Sequence, residues 1–125
     1  MSNSEDFVAW VLEQLAPLGR IVARRMFSGH GIYCDGLFIA IVMNDTLYLK
    51  ADEDTRPQFE RAGSARFEYR RKGRDASIGY YTAPEEAIDS PAALAAWARL
   101  ALGAALRAAN APRTRRVARR TRDAG

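Results

Sequence analysis

Imidazole and thiol groups are among the side chains most often used in catalysis and metal binding, and this chain has one of each, in His30 and Cys34. A zinc site needs three or four ligands, and the others would have to be Asp35 or distant carboxylates. A reactive thiol or a catalytic triad needs a neighbouring base with an orienting group, and no such pattern surrounds Cys34. We therefore expect packing or turn roles for both residues. The sequence predicts no catalytic residue, no metal site and no cofactor, so the protein is not expected to be an enzyme.

Arginines offer a second kind of chemistry, the binding of anions. The net charge is +4, but residues 113–125 hold six arginines and one aspartate, which leaves 13 basic and 14 acidic residues in the rest of the chain. Arginine clusters neutralise phosphates without reading base sequence. The alternative is a flexible, solubilising terminus. The candidate nucleic-acid contacts are Arg113, Arg115, Arg116, Arg119, Arg120 and Arg122.

A further arginine pair stands in the segment RRMF at residues 24–27, before a segment that contains two glycines. Arg24, Arg25 and Phe27 are candidate partner-binding residues, because arginine and aromatic side chains are favoured at the energetic centres of interfaces. The alternative is that Met26 or Phe27 fills the core while the arginines are solvated or paired with acids. The glycines are weak evidence for a phosphate-binding loop, since no helix follows them.

Five tyrosines could form a stacking platform for single-stranded nucleic acid. Such platforms lie in basic grooves, whereas the chain before the arginine-rich terminus is slightly acidic. We expect half-buried sheet tyrosines with wet hydroxyl groups instead. The residues concerned are Tyr33, Tyr48, Tyr69, Tyr80 and Tyr81.

The elements that must position these residues follow from periodicity and turn signals. Residues 4–15 have helical spacing and are stopped by a proline and a glycine. Residues 20–27 are predicted as a strand that is broken at 28–31 and followed by a strand at 32–34. The dipeptides DG at 35–36 and ND at 44–45 predict tight hairpins around an apolar strand at 37–43, with a return strand at 46–50.

The second half of the chain adds a short helix at 52–62, strands at 67–71 and 78–82 around a polar turn at 72–75, and a last helix. Ser90 is the predicted cap of that helix, with Pro91 at its first position and an end near residue 109. This order predicts an α+β fold in two layers, an antiparallel β-sheet with helices on one face. We expect one domain at 1–111 and an Arg-rich flexible tail at 112–125.

Location is predicted from the same features. The longest uninterrupted apolar run, at 37–43, is far shorter than the roughly 20 residues of a membrane span. The N-terminus is acidic and polar, unlike a secretory signal, and a single cysteine suits a reducing compartment. A cytoplasmic protein without a membrane partner is expected.

A set of segments spread over the chain carries a family resemblance: RRMFSGHGIY (24–33), DGLF (35–38), LYLKAD (47–52), Phe67 with Tyr69, Tyr80 with Tyr81, PEE (84–86) and Trp97. With these segments the chain resembles the N-terminal domain of the TfoX/Sxy family of competence regulators. Ser28 stands where the family usually has a second glycine. The resemblance covers roughly residues 7–109, and the chain ends after the first of the family's two domains, so a stand-alone N-terminal domain is expected.

The resemblance implies a fold of the secretion-chaperone-like class and a role beside the cyclic-AMP receptor protein in switching on DNA-uptake genes. The first hypothesis is therefore a non-enzymatic regulatory or adaptor module that acts through protein contacts, with a transcription regulator as partner. The alternative is a small nucleic-acid-binding protein that uses its tail for non-specific phosphate contacts. Sheet edges and the alanine-rich last helix also offer surfaces for a homodimer.

Overall fold

The computed structural model describes residues 5–26, 29–71 and 74–111, and all their side chains except those of 69–71 and 74–78. The six strands form one sheet in the order β1-β2-β3-β4-β6-β5, and every neighbouring pair is antiparallel. The elements are α1 (Glu5–Leu15), a 3-10 turn (Ala16–Leu18), β1 (Ile21–Met26), β2 (Gly29–Cys34), β3 (Leu37–Met43), β4 (Thr46–Lys50), α2 (Arg56–Arg61), β5 (Arg66–Arg71), β6 (Arg74–Thr82), α3 (Glu85–Ile88) and α4 (Pro91–Ala109).

Both predicted hairpin turns are confirmed by left-handed backbone angles. Asp35 and Gly36 have φ of 50° and 86°, and Asn44 and Asp45 have φ of 53° and 54°. These angles are typical of two-residue turns whose twist matches that of the strands they join. The predicted cap of the last helix is confirmed as well, because the Ser90 hydroxyl accepts a hydrogen bond from the backbone N–H of Ala93 at 3.2 Å.

The predicted break at 28–31 is wrong for its last three residues, which begin β2. Gly29 pairs with Met26, so only residues 27 and 28, which lie outside the described chain, separate the two strands. The glycines are needed for close packing. A Cβ on Gly29 would run into the carbonyl oxygen of Val42, and one on Gly31 would lie 2.9 Å from the ring of Phe38. Glycine in a strand often marks such an approach of other atoms to the backbone.

The last strand is longer than predicted. Arg74 and Asp75, placed in a polar turn by the sequence analysis, pair with Arg71 and Arg70 in the β5–β6 ladder. Cross-strand pairing thus overrides the polar composition of this segment, which by itself favours a turn. A four-residue helix, α3, also precedes α4 and was not predicted as a separate element.

All the helices contribute to one face of the sheet, which confirms the α+β class. A bulge where β2 pairs with β3 turns both Ile39 and Ala40 of β3 toward this face. Phe59 of α2 is fully buried between Tyr81 of β6 at 5.6 Å and Trp97 of α4 at 4.9 Å between ring centroids. The core on this side includes Val11, Leu15, Ile32, Cys34, Ile39, Ala40, Val42, Leu47, Leu49, Phe59, Tyr81, Ala87, Leu94, Ala98 and Ala101.

Among the described helices, α4 alone is long and apolar enough to cross a membrane by length and composition. The apolar character of α4 is not evident from uninterrupted apolar runs, because Arg99 and Arg107 interrupt its sequence. In the fold α4 packs against β3 and β4 through a buried line that runs from Leu94 to Ala105. A core helix passes the same test, so the finding is weak evidence for a membrane span.

An ion pair ties the C-terminal end of α4 to the loop after β4. The Arg107 guanidinium donates from Nε to Asp52 Oδ2 at 2.6 Å and from Nη2 to Asp52 Oδ1 at 3.1 Å, and Asp54 Oδ2 lies 3.4 Å from Nε. Asp52 Oδ1 also accepts the backbone N–H of Thr55. The hydrogen bond from Arg107 is the largest of the effects that hold the pKa of Asp52 below its ordinary value.

Two identical substitutions at different glycines should change stability in opposite directions. Gly29→Ala should lower the free energy of unfolding by about 1–3 kcal/mol, because the new methyl group meets the Val42 carbonyl. Gly103→Ala should raise it by about 0.5–1 kcal/mol, because Gly103 lies within α4 and its added Cβ meets only the flexible Arg107 side chain at 3.4 Å. Urea unfolding followed by circular dichroism measures both. A Gly29→Ala protein as stable as the parent would contradict the packing role of that glycine.

The Asp52–Arg107 pair should make stability depend on pH in the acid range. A carboxyl whose folded pKa lies below its unfolded value of about 3.9 stabilises the fold above that value and loses its contribution as the pH falls through the folded pKa. Arg107→Ala should therefore raise the pKa of Asp52 toward the ordinary value and flatten the acid limb of the stability curve. An NMR titration of the Asp52 carboxyl carbon tests this, with Arg99→Ala on the same helix as control. An unmoved Asp52 pKa in Arg107→Ala would refute the assignment.

Candidate partner-binding surface

The predicted partner-binding arginines lie on β1, the strand at one end of the sheet. Arg24 and Arg25 are both exposed, and as consecutive strand residues they point to opposite faces of the sheet. Phe27, the third candidate, lies outside the described residues. Arg24 and Arg25 therefore do not form one contact patch, and of the two only Arg24 projects from the face that no described helix covers.

This second face is filled by aromatic and apolar side chains of the strands. No described helix contributes to the cluster there, which we call the open-face cluster. Tyr33 stacks on Phe38 at 5.1 Å between ring centroids, and Phe38 lies 5.6 Å from Tyr80. The cluster consists of buried Ile41, Phe67 and Tyr80, with partly buried Phe38, Met43 and Tyr48 packed against them.

Two cations lie over tyrosine rings beside this cluster. The guanidinium of Arg24 is 5.4 Å from the centroid of the Tyr33 ring, and the ammonium of Lys50 is 5.2 Å from that of Tyr80. The negative face of an aromatic ring attracts a cation, so these contacts restrict side chains that would otherwise be mobile. Burial, and then the neighbouring Tyr33, raise the pKa of Tyr80 to about 12. The Tyr80 hydroxyl is therefore neutral near pH 7 and adds no negative charge to this surface.

A groove of about 690 Å³ lies at the outer end of the same face. Val22 lines the groove and is 40% exposed. The Arg20 backbone N–H donates to Asp35 Oδ1 at 2.9 Å, and the Asp35 N–H donates to the Arg20 carbonyl at 2.8 Å, so the rim is held by a reciprocal pair of bonds. The lining residues are Arg20, Val22, Arg24, Tyr33, Asp35 and Gly36.

Sequence reasoning did not select Arg20, Val22 or Lys50 as site residues. A signal for the first two was present, because alternate residues of a strand share a face. The predicted strand at 20–27 places Arg20, Val22 and Arg24 on one side, two cations around an apolar residue. Lys50 could not be found in this way, since its partner Tyr80 is thirty positions away in the sequence.

The tyrosines whose side chains are described do not form an exposed stacking platform. Tyr33 and Tyr48 are half-buried, as predicted, while Tyr80 and Tyr81 are buried more deeply. Tyr81 lies on the helical face, where its hydroxyl donates to Glu60 Oε2 at 3.0 Å. The side chain of Tyr69 is outside the described set. Strand rings that are packed on one another leave little free aromatic surface for bases.

Cys34 serves packing in this structure. Its side chain is fully buried, and its Sγ lies 3.7 Å from the Leu18 carbonyl oxygen. Burial, with a smaller effect of Asp35, raises the pKa of the thiol, so it stays protonated near neutral pH. Within the described residues no group of three or more His, Cys, Asp or Glu side chains could hold a metal ion.

A second cavity, of about 760 Å³, lies between the loop after β4 and the C-terminal end of α4. Two of its carboxylates, those of Asp52 and Asp54, are the partners of Arg107 described above, and Glu53 also lines the cavity. The candidate nucleic-acid contacts of the tail, from Arg113 to Arg122, lie outside the described residues, and their role stays a prediction.

Comparison with known proteins identifies the family of this chain. The model of the TfoX N-terminal domain matches residues 13–105, from α1 to α4. The chain is 30% identical over 77 residues to the DNA transformation protein TfoX1 of Aliivibrio fischeri, a match that spans 62% of this chain and 37% of that protein. The chain thus covers well under half the length of this curated relative. Because the family model extends over most of the chain and over the elements that build the surface, the protein belongs to the TfoX N-terminal domain family.

Proposed function

We propose that this domain is a non-enzymatic regulatory module of the competence type and that it acts through contacts with a protein of the transcription machinery. The observation that carries the proposal is the face of the sheet that no described helix covers, where Arg24 and Lys50 are held over tyrosine rings. Arginine and aromatic side chains are enriched in protein interfaces and supply much of their binding energy. The matched relative is named for DNA transformation, which supports a regulatory role in DNA uptake.

The chemistry of the described chain supports binding better than catalysis. The thiol of Cys34 is buried and protonated, and Asp52 and Asp54 of the larger cavity are paired with Arg107. The groove beside β1 instead combines cations, an exposed apolar side chain and a tyrosine. These are groups that recognise a partner. We propose a cytoplasmic location, consistent with the single cysteine.

A second candidate is non-specific nucleic-acid binding by the tail, favoured by the six arginines between residues 113 and 122. Phosphate neutralisation by arginines gives an affinity that falls steeply with salt. A mobility-shift assay with the full chain and with a chain that ends at residue 111, across salt concentrations, tests it. Binding by neither chain at low salt would remove this candidate.

The regulatory proposal is tested in the native cell. Deleting the gene should lower the transcripts of DNA-uptake genes and the frequency of transformation, and the intact gene supplied in trans should restore both. A chain that ends at residue 111 should restore them equally if protein contacts of the domain suffice. RNA sequencing under competence conditions measures the outcome. Unchanged transcripts in the deletion strain would show that the protein does not regulate these genes.

The mode of action needs a separate measurement. A photo-reactive amino acid placed at Lys50 should crosslink, in the cell, to a transcription regulator, whereas the same probe at Arg99, exposed on α4, should not. Mass spectrometry identifies the captured protein, and promoter occupancy of that regulator should change when the gene is deleted. Crosslinks to nucleic acid alone from Lys50 would contradict a protein partner.

A further inference from the structure

We propose that the free edge of β1 binds an extended acidic segment of the partner protein, which adds a strand to the sheet and carries acidic side chains two positions before and two positions after an apolar one. This inference rests on the proposed function, since it assigns the surface and the partner chemistry through which the domain would act. It involves Arg20, Val22 and Arg24, of which only Arg24 was expected to bind a partner.

The backbone of β1 is suited to such an addition. β1 ends the sheet on one side in the described chain, and none of its six residues is buried. A strand at a sheet edge presents a row of N–H and C=O groups that a further strand can pair with. Recognition by strand addition uses these groups for affinity and alternate side chains for specificity. At about 3.3 Å per residue, β1 offers an edge of about 20 Å.

The side chains of β1 define what the added strand must carry. Arg20, Val22 and Arg24 alternate along the groove on the helix-free face. Residues directly opposite one another in neighbouring strands lie about 5 Å apart, so the complementary positions are acidic, apolar and acidic in turn. Arg24 is already held over Tyr33, which lowers the entropy lost when it pairs with a carboxylate. The apolar residue would cover Val22, one of the exposed large hydrophobic residues of the described chain.

A nucleic acid fits this edge less well than a polypeptide. Its phosphodiester backbone has no pattern of donors and acceptors to match a strand edge. The rings that could stack on bases are packed on one another, Tyr33 on Phe38 and Phe38 against Tyr80.

A second copy of this chain fits poorly as well. Antiparallel pairing of two β1 strands about Val22 would set Arg20 of each copy opposite Arg24 of the other. Like charges directly opposite one another destabilise a strand pair. The charges that oppose this self-pairing about Val22 are the ones that favour an acidic partner, so charge complementarity favours the acidic partner over a second copy.

The test uses the full chain and a fluorescent nine-residue peptide. Threonine fills the positions that point to the helical face, and glutamate, valine and glutamate occupy successive positions on the other face. Fluorescence anisotropy at low and physiological salt measures the affinity, and amide hydrogen exchange measures protection of β1. Control peptides carry glutamine in place of glutamate, or move the glutamates by one position onto the opposite face.

Arg24→Ala should weaken binding about tenfold, because one charge-assisted pair is lost. Arg25→Ala is the matched control, an exposed arginine on the same strand but on the opposite face, and it should change the affinity less than about twofold. Arg24→Glu should abolish binding of the glutamate peptide, and a peptide with lysine at the facing position should restore it. The amides of β1 should gain protection only with peptides that bind.

Several results would overturn the inference. These are no saturable binding, equal losses in Arg24→Ala and Arg25→Ala, equal affinity for the displaced-glutamate peptide, or displacement of the peptide by a single-stranded oligonucleotide at lower concentration. In cells, an Arg24→Glu chain that restores DNA-uptake transcripts fully would also refute it while leaving the regulatory function standing. Failure of the regulatory function itself would appear as unchanged transcripts in the gene deletion, whatever the peptide does.

Discussion

The organisation of this domain depends on the one-sided covering of its sheet, with β3 at the centre. Val42 is fully buried by the helical layer, while Ile41, the preceding residue, is 2% exposed on the face without helices. The apolar side chains of β3 must be shielded from water on both faces of the sheet, but the described helices cover only one face. The strands must therefore bury the other side with their own long side chains. Phe38, Tyr48, Phe67 and Tyr80 do so by packing ring against ring, and Gly31 leaves the space over which the Phe38 ring lies.

This self-covered face determines the character of the exposed surface. Tyr33 stacks on Phe38 and Phe38 is tilted against Tyr80, and the cations of Arg24 and Lys50 lie over the rings of Tyr33 and Tyr80. A cation so placed keeps its charge and loses mobility, which suits a binding surface more than a solubilising one. The buried hydroxyl of Tyr80, with its raised pKa, adds no negative charge to cancel them. The strand side chains that shield this face from water thus also hold Arg24 and Lys50 in place on its surface.

Most of the fold could be predicted from the sequence because its signals are local. The angles of Asp35–Gly36 and Asn44–Asp45 and the cap at Ser90 depend on residues within a few positions of one another, and all are confirmed. The errors came from contacts distant in the chain. Gly29 and Gly31 were interpreted as a turn because their real constraint, atoms of Val42 and Phe38 on the next strand, is visible only after the register is known. The candidate surface follows the same rule, since Arg24 was selected from its local composition, whereas the position of Lys50 depends on Tyr80. The roles of Arg24, Arg25, Phe27 and the tail arginines stay predictions.

The arginines of β1 can be explained in two ways, and the geometry separates them. Charged side chains on an edge strand prevent unwanted pairing with other chains, and for that purpose any exposed charge on either face would serve. Arg25 satisfies this need completely, because it is exposed and lies on the face away from the groove. Protection alone does not explain why Arg24 is fixed on the ring of Tyr33, or why Val22 is left exposed between it and Arg20 in a groove. If the charges of β1 served only to prevent pairing with other chains, we would expect Val22 to be covered or a polar residue to stand in its place. An edge that repels copies of itself while retaining an apolar centre is instead selective, and what it selects is a strand of opposite charge.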